Sequence, residues 1–238
     1  MTLPSPSLNY MTTHPTYATD LGLVLFLKAP HNAKRRLAAE IGDLATAAAT
    51  LLWNCTLQDI EDWHGSIWFS PANPQDKAWL ISKLGRKKSM VSQKGSTLGE
   101  RINHVDHKLR SQGLTKIIFI GTDCPGLDPS YLRQAAERLD EYDVVLGPSS
   151  DGGVVLMGAR RAWPKLRDLP WSTEHLCDSL SAVCDQSGRT TTNLEMRSDI
   201  DTVSDLLAAQ HEFAEDIRLT RRNLSKWISE QTEKLIVK

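Results

Sequence analysis

Aspartates stand in this chain at points where chemistry is plausible. Asp123 lies in Gly121-Thr122-Asp123-Cys124-Pro125-Gly126, Asp151 in Asp151-Gly152-Gly153, and Asp199 and Asp201 in Asp199-Ile200-Asp201-Thr202. Cations gather early, as Lys28 and then Lys34-Arg35-Arg36. Carboxylate oxygens are the ligands that Mg²⁺ and Mn²⁺ prefer. Lysine, arginine and a bound metal offset the charge of a diphosphate. The set therefore suits a nucleotide phosphate held with a divalent cation. Each piece also has a plainer reading. Asp123 could cap the turn into a helix, and Asp-Gly favours a hairpin turn. Asp199 and Asp201 could cap a helix N-terminus, where negative charge is favoured. The Lys-Arg-Arg run could be a solvated helix face.

These residues need elements to position them. Leu21 to Leu27 is a short continuous apolar run ended by Ala29-Pro30, as in a strand buried on both faces. Ile67-Trp68-Phe69, Lys116 to Ile120, Val144 to Leu146 and Val154 to Met157 read as further strands, with a short one near Met90 to Gln93. Helical spacing covers Lys34 to about Gln58, Gln75 to Leu84, Leu98 to Arg110 and Pro129 to Leu139, the last with Asp128 as N-cap. Glu174 to Gln186 and Val203 almost to Lys238 complete the set. Strands alternating with such helices predict an α/β fold with a mostly parallel sheet. In an open sheet of this kind ligands bind beyond the carboxyl ends of the strands, which is where Lys28, Asp123 and Asp151 fall.

Composition narrows the classes. The 238 residues carry 28 Lys and Arg against 29 Asp and Glu, a formal net charge of -1. That argues against nucleic acid or an anionic membrane as a bulk-charge partner. Hydrophobic residues make up 40%, as in an ordinary globular chain. No apolar run approaches the ~20 residues of a membrane span, and the first 20 residues lack the pattern of a secretory signal. Cys55, Cys124, Cys177 and Cys184 form no CxxC pair and read as buried, reduced thiols of a cytoplasmic protein. Residues 1–20 read as a disordered arm with Met11 as an alternative start, and residues 21–238 as a single domain. His104 and His107, one turn apart, read as a surface helix face. In the C-terminal segment Leu206, Leu207, Phe213, Ile217, Leu224, Trp227, Ile228 and Leu235 form an apolar stripe, for packing on the chain's own sheet or for a homodimer seam.

Several blocks in order resemble one family. They are Leu25 to Pro30, Lys34 to Ala38, Leu98-Gly99-Glu100-Arg101, Gly121 to Leu127, Gly147-Pro148, Asp151-Gly152-Gly153, Pro170-Trp171-Ser172-Thr173 and Asp199 to Thr202. The family is that of the bacterial GT-A-like transferases known as selenodomain- or radical-SAM-associated, often labelled arsenosugar-biosynthesis glycosyltransferases. It is distantly similar to guanylyl-, cytidylyl- and molybdopterin nucleotidyltransferases. The resemblance implies a GT-A fold, the nucleotide-diphospho-sugar transferase class of Rossmann-like sheet. It implies Asp123 and Asp201 as ligands of Mg²⁺ or Mn²⁺, and Lys34 and Arg36, with Lys28 beside them, as phosphate-binding groups. Gly152 and Gly153 match an acceptor-side turn, with Asp151 as candidate base. The expected partners are a nucleotide sugar, or a nucleoside triphosphate in the nucleotidyltransferase version, and a small-molecule acceptor.

Four features depart from the family pattern. The loop after Pro30 is two residues shorter and has no glycine, Arg35 replaces a Thr, Thr97 replaces an Asp, and Val154 and Val155 replace aromatic residues. The shortened loop and Thr97 motivate a reading from another class, a degenerate fold that binds a nucleotide or a partner protein without turnover.

Overall fold

The structure, a computed structural model, describes residues 20–236. The expected arm, apart from Asp20, lies outside the described residues. Six strands form one sheet: β1 (Leu21–Leu27), β2 (Ser66–Pro71), β3 (Lys116–Ile120), β4 (Val144–Pro148), β5 (Val154–Ala159) and β6 (Thr191–Asn193). Their spatial order is β2-β1-β3-β5-β4-β6. β2, β1 and β3 pair in parallel, β5 is antiparallel to both β3 and β4, and β6 is parallel to β4. Five strands thus share one direction and β5 alone opposes them. The sheet is mostly parallel, as expected, and β5 enters at the edge where the other five leave.

Side-chain alternation along β1 divides the core. Leu21, Leu23, Leu25 and Leu27 face one layer, and Val24 faces the other. The first layer is covered by α2 (Leu44–Asp59), α3 (Pro74–Leu84) and α5 (Pro129–Glu141), and the second by α4 (Leu98–Arg110) and α6 (Leu176–Gln186). A third cluster joins α1 (Arg35–Ile41) and α2 to α7 (Val203–Glu212) and α8 (Leu219–Ile236). Its buried side chains include Leu37, Leu52, Phe213, Leu224 and Ile228. The C-terminal stripe therefore packs on α1 and α2 rather than on the sheet, and Ile217 alone of that stripe is almost fully exposed, at 90%.

The structure corrects several element boundaries. The helix expected from Lys34 to Gln58 is two helices, broken at Gly42, whose φ of 59° is left-handed and favours glycine. The C-terminal helix is likewise two. The segment near Met90 makes a single parallel bridge with Phe69 instead of a strand. β6, short and polar, has no apolar signature and is absent from the sequence reading.

Candidate active site

Five strands end at the same sheet edge, and their order decides which of the loops that follow them meet. β1 lies between β2 and β3, so the loops after β1 and β3 diverge around a crevice, the usual ligand position in such sheets. The loop after β1 makes a 3₁₀ turn at Pro30–Asn32. Buried Asp76 pins it, accepting hydrogen bonds at one carboxylate oxygen from the Ala29 amide at 2.9 Å and from Asn32 Nδ2 at 3.0 Å. Lys34 follows in a left-handed conformation, φ 51° and ψ 50°. For a residue with a Cβ this costs about 1–2 kcal/mol, so other contacts must hold it.

Those contacts are carboxylates. Lys34 Nζ donates to Asp201 Oδ1 at 2.8 Å and to Asp123 Oδ2 at 3.2 Å. Arg36 Nη1 reaches Asp201 Oδ2 at 3.4 Å. The Lys34 side chain is only 6% exposed, whereas those of Asp123 and Asp201 are 40% and 36% exposed. Burial works against the Lys34 ammonium, but the charges of Asp123 and Asp201 outweigh it and raise its pKa above the ordinary 10.5.

Backbone geometry explains why these aspartates converge. Gly121 ends β3, and a Cβ there would meet Asp123 Oδ1 at 2.5 Å. Only glycine lets that carboxylate fold back over the strand end. The Asp123 carbonyl accepts from the Ile200 amide at 2.9 Å and ties the two loops. Ile200 is buried in the third cluster, so alternation along the extended chain turns Asp199 and Asp201 the other way. The helix that follows is capped by Thr202 in a capping box with Asp205. Neither Asp199 nor Asp201 is spent on capping. The same holds for Asp123, since Asp128 caps α5 through the Tyr131 amide.

One carboxylate oxygen from each of Asp123, Asp199 and Asp201 lies within 4.8 Å of the others. Three hard oxygen donors at this spacing fit a divalent cation, and the Lys34 ammonium bridges two of them. The resemblance names Asp123 and Asp201 as ligands and leaves out Asp199; its two-residue spacing from Asp201 is the signal in the sequence that joins it to them. Ser149 Oγ donates to Asp199 Oδ1 at 2.6 Å. Burial pushes the Asp199 carboxyl above the usual 3.8, against the Ser149 hydrogen bond, and Asp123, Asp151 and Asp201 add to the rise.

Two cavities meet at Asp123. An outer cleft of about 600 Å³ is lined by Lys28, Lys34, Arg36, Arg101, Asp123 and Asp201, among others. An inner cavity of about 190 Å³ is walled mainly by apolar side chains, among them Phe26, Phe119, Val154, Met157 and Trp171, and opens at Asp123 and Asp199. A larger cleft of about 740 Å³ lies between α2, β2 and the start of α8. It gathers no comparable set of carboxylates and cations, so chemistry points to the smaller pair.

Other expected residues fall elsewhere. Asp151 is exposed, lines neither cavity at Asp123, and accepts the Gly153 amide at 2.8 Å in the β4–β5 turn. Gly152 has φ 83°, and a Cβ on it would meet the Glu174 carbonyl oxygen at 2.0 Å. Its close approach is to the chain's own backbone. Trp171 donates its indole N–H to the Leu166 carbonyl at 2.9 Å and so walls the inner cavity from a fixed orientation. Thr97 caps α4 in a capping box with Glu100. Thr and Asp both serve as N-caps, so the cap is kept at this position.

The fold is of the nucleotide-diphospho-sugar transferase, Rossmann-like type. A structure from Desulfovibrio desulfuricans G20, described as a nucleotide-diphospho-sugar transferase, matches with a TM-score of 0.81 at 20% identity, over 92% of this chain and 97% of that one. A cytidylyltransferase from Leptospira borgpetersenii serovar Hardjo-bovis gives 0.55 at 13% identity, over 93% and 98%. A nucleotidyl transferase from Methanothermobacter gives 0.54 at 16% identity, over 83% and 99%. At such identities the likeness is one of fold. A search of curated proteins gives no match. The chain belongs to the DUF2064 family, described as an uncharacterized protein conserved in bacteria, whose profile matches residues 54–173. Among the described residues no helix is long and apolar enough to cross a membrane.

Proposed function

We propose that this protein is a divalent-metal-dependent transferase acting on a nucleotide-linked donor, with glycosyl transfer from a nucleotide sugar as the primary reaction and nucleotidyl transfer from a nucleoside triphosphate as the alternative. One observation carries the reading: Asp123, Asp199 and Asp201 converge with Lys34 and Arg36 at the crevice between β1 and β3. Three carboxylates there face two cations, which leaves the cluster net negative and receptive to a metal.

Asp123 and Asp201 would hold Mg²⁺ or Mn²⁺, with Asp199 as the third oxygen donor of the set. When bound, the metal supplies Lewis-acid stabilisation of the charge that builds on the departing phosphate. The chain's own residues do the rest by position and charge. Lys34, which pairs with two of these carboxylates and lines the outer cleft, would offer its ammonium to the phosphates there. Arg36 and the exposed Lys28 line the same outer cleft and neutralise what remains. Asp199 lines the inner cavity as well, where its carboxylate would orient an acceptor hydroxyl. That role passes to it from Asp151, which is engaged in the turn. The acceptor is read from the inner cavity's apolar walls rather than from the arsenosugar label.

A thermal-shift screen of nucleotides and nucleotide sugars, with Mn²⁺, Mg²⁺ or chelator, tests the reading. A ligand at 100 times its Kd adds about 2.7 kcal/mol to folded-state stability, roughly 5–10 °C in melting temperature for a chain of this size. The expected result is a metal-dependent shift that Asp123→Ala abolishes. A well-folded sample that no nucleotide shifts under any metal would transfer the assignment to the non-catalytic class.

A further inference from the structure

The largest fully buried side chain in the described part of the molecule is a cation, Arg221 of α8. An arginine is rarely fully buried unless paired, so its partners reveal its purpose. Its Nη2 pairs with buried Asp59 at the end of α2. Its other donors grip backbone and one hydroxyl. Nε donates to the Pro125 carbonyl at 3.0 Å, Nη2 to the Leu127 carbonyl at 2.9 Å, Nη1 to the Cys55 carbonyl at 2.8 Å and to Thr220 Oγ1 at 3.0 Å.

Pro125 and Leu127 belong to the loop that carries Asp123. A guanidinium is planar and presents its donors in a rigid fork, so bonds to two carbonyls of one loop fix its position and its orientation. Arg218, one turn earlier, adds a bond to the Leu127 carbonyl at 3.1 Å and is itself held by Asp216 and Asp59. The opposite side of the loop is tied by the Ile200 amide on the Asp123 carbonyl. Asp123 therefore sits on a segment fastened from both sides, and one fastening comes from a helix that lies outside the stretch matched by the family profile.

We propose that Arg221 is a positioning residue of the active site: paired to Asp59, it clamps the Pro125–Leu127 backbone and thereby sets the Asp123 carboxylate against Asp199, Asp201 and Lys34. The metal part of this inference rests on the function proposed above; the clamp itself does not, and the test separates them.

The single variant Arg221→Met strands a buried Asp59, a strongly destabilising change in its own right. The informative variant is Asp59→Leu with Arg221→Met, which replaces the buried pair by apolar side chains of similar size, a change that is often neutral for stability. Cys124 provides a local reporter that needs no ligand. It is buried in the clamped loop, whereas Cys177 and Cys184 are buried on the other layer of the sheet. Alkylation by iodoacetamide, located by mass spectrometry, is compared with a Mn²⁺ titration followed by electron paramagnetic resonance.

The double variant is expected to stay folded, to label at Cys124 roughly tenfold faster with Cys177 and Cys184 unchanged, and to bind Mn²⁺ roughly 10- to 100-fold more weakly, the loss typical when a group that orients a metal ligand is removed. Arg221→Lys, which keeps the charge but not the fork, should fall between wild type and the double variant in both readouts. A folded double variant with wild-type Cys124 labelling overturns the clamp. Faster labelling with unchanged Mn²⁺ affinity overturns its role in the site. If the wild type binds no Mn²⁺, the functional proposal fails, while the labelling still decides the clamp. If the double variant unfolds, the Arg221→Lys labelling pattern decides it instead.

Discussion

Two clusters in this molecule set arginine or lysine against aspartates from distant parts of the chain, and they differ in every respect that matters. At Arg221 the charges are sealed: one guanidinium and Asp59 are buried together, and the cation's donors are matched by Asp59, backbone carbonyls and one hydroxyl. At Lys34 three carboxylates compete for two cations, the aspartates are more than one-third exposed where they pair with Lys34, and a cleft of about 600 Å³ opens onto them. A closed cluster with matched charge holds structure. An open one with unmatched charge, a left-handed lysine and room for a ligand is built to exchange partners. The same chemistry of charge thus separates scaffold from site by burial and stoichiometry.

The comparison can be broken by mutation, and the largest effects belong to opposite readouts. Asp123→Asn should reduce metal-dependent turnover by more than about 100-fold, beyond the cost of losing a merely supporting group. Its melting temperature should hardly move, because partly exposed ion pairs contribute only ~0–1 kcal/mol. A large loss of stability with activity intact would place Asp123 in the scaffold. The sealed pair should behave in reverse. Arg221→Met leaves a buried charge unpaired and should cost about 3–5 kcal/mol in urea denaturation, and a cost near zero would show that the pair is not sealed.

Lys34→Met sharpens the contrast. If the ammonium merely stands in for a metal, its removal should tighten Mn²⁺ binding in the absence of nucleotide and weaken binding of the metal–nucleotide pair, both measurable by calorimetry. Weaker Mn²⁺ binding in the variant would argue that Lys34 organises the carboxylates instead.

The smallest expected effect is on pH dependence. Burial pushes the Asp59 carboxyl above the usual 3.8, against the pull of Arg221 and Arg218. The folded chain therefore binds this proton more tightly than the unfolded chain. The contribution of this group is greatest below pH 3.8 and declines as pH rises through the raised folded-state pKa. Denaturation at pH 5 and pH 7.5 should show that decline in the wild type and a flatter profile in Asp59→Leu with Arg221→Met. Equal slopes would contradict it.

Most of the sheet was legible because its strands are short apolar runs, and Leu21 to Leu27 and Lys116 to Ile120 have the boundaries their sequences announce. The site was legible in part for a topological reason: residues that follow strands of one direction meet at one edge. The reversal of β5 was not, since antiparallel pairing leaves no mark in Val154 to Ala159 itself. The division of the C-terminal helix was hidden because the break near Asp216 contains neither glycine nor proline and is held by tertiary contacts such as the Arg218 bonds to Asp216 and the Leu127 carbonyl. Arg221 was hidden for the same reason. An arginine on an amphipathic helix reads as surface, and its carbonyl partner Pro125 lies 96 residues away in the chain. Asp151 shows the converse, a candidate base by resemblance whose carboxylate accepts the Gly153 amide of its own turn.

The central claim is that the open carboxylate cluster is a metal and nucleotide site with Lys34 as its resident cation. Titration of Mn²⁺ into the wild type and Asp123→Asn, each with and without a nucleoside diphosphate, tests it most directly. The account predicts that the wild type binds Mn²⁺, binds it more tightly with the nucleotide present, and loses both in Asp123→Asn. Equal Mn²⁺ binding by the two proteins, or a nucleotide that binds as well without metal, would contradict it.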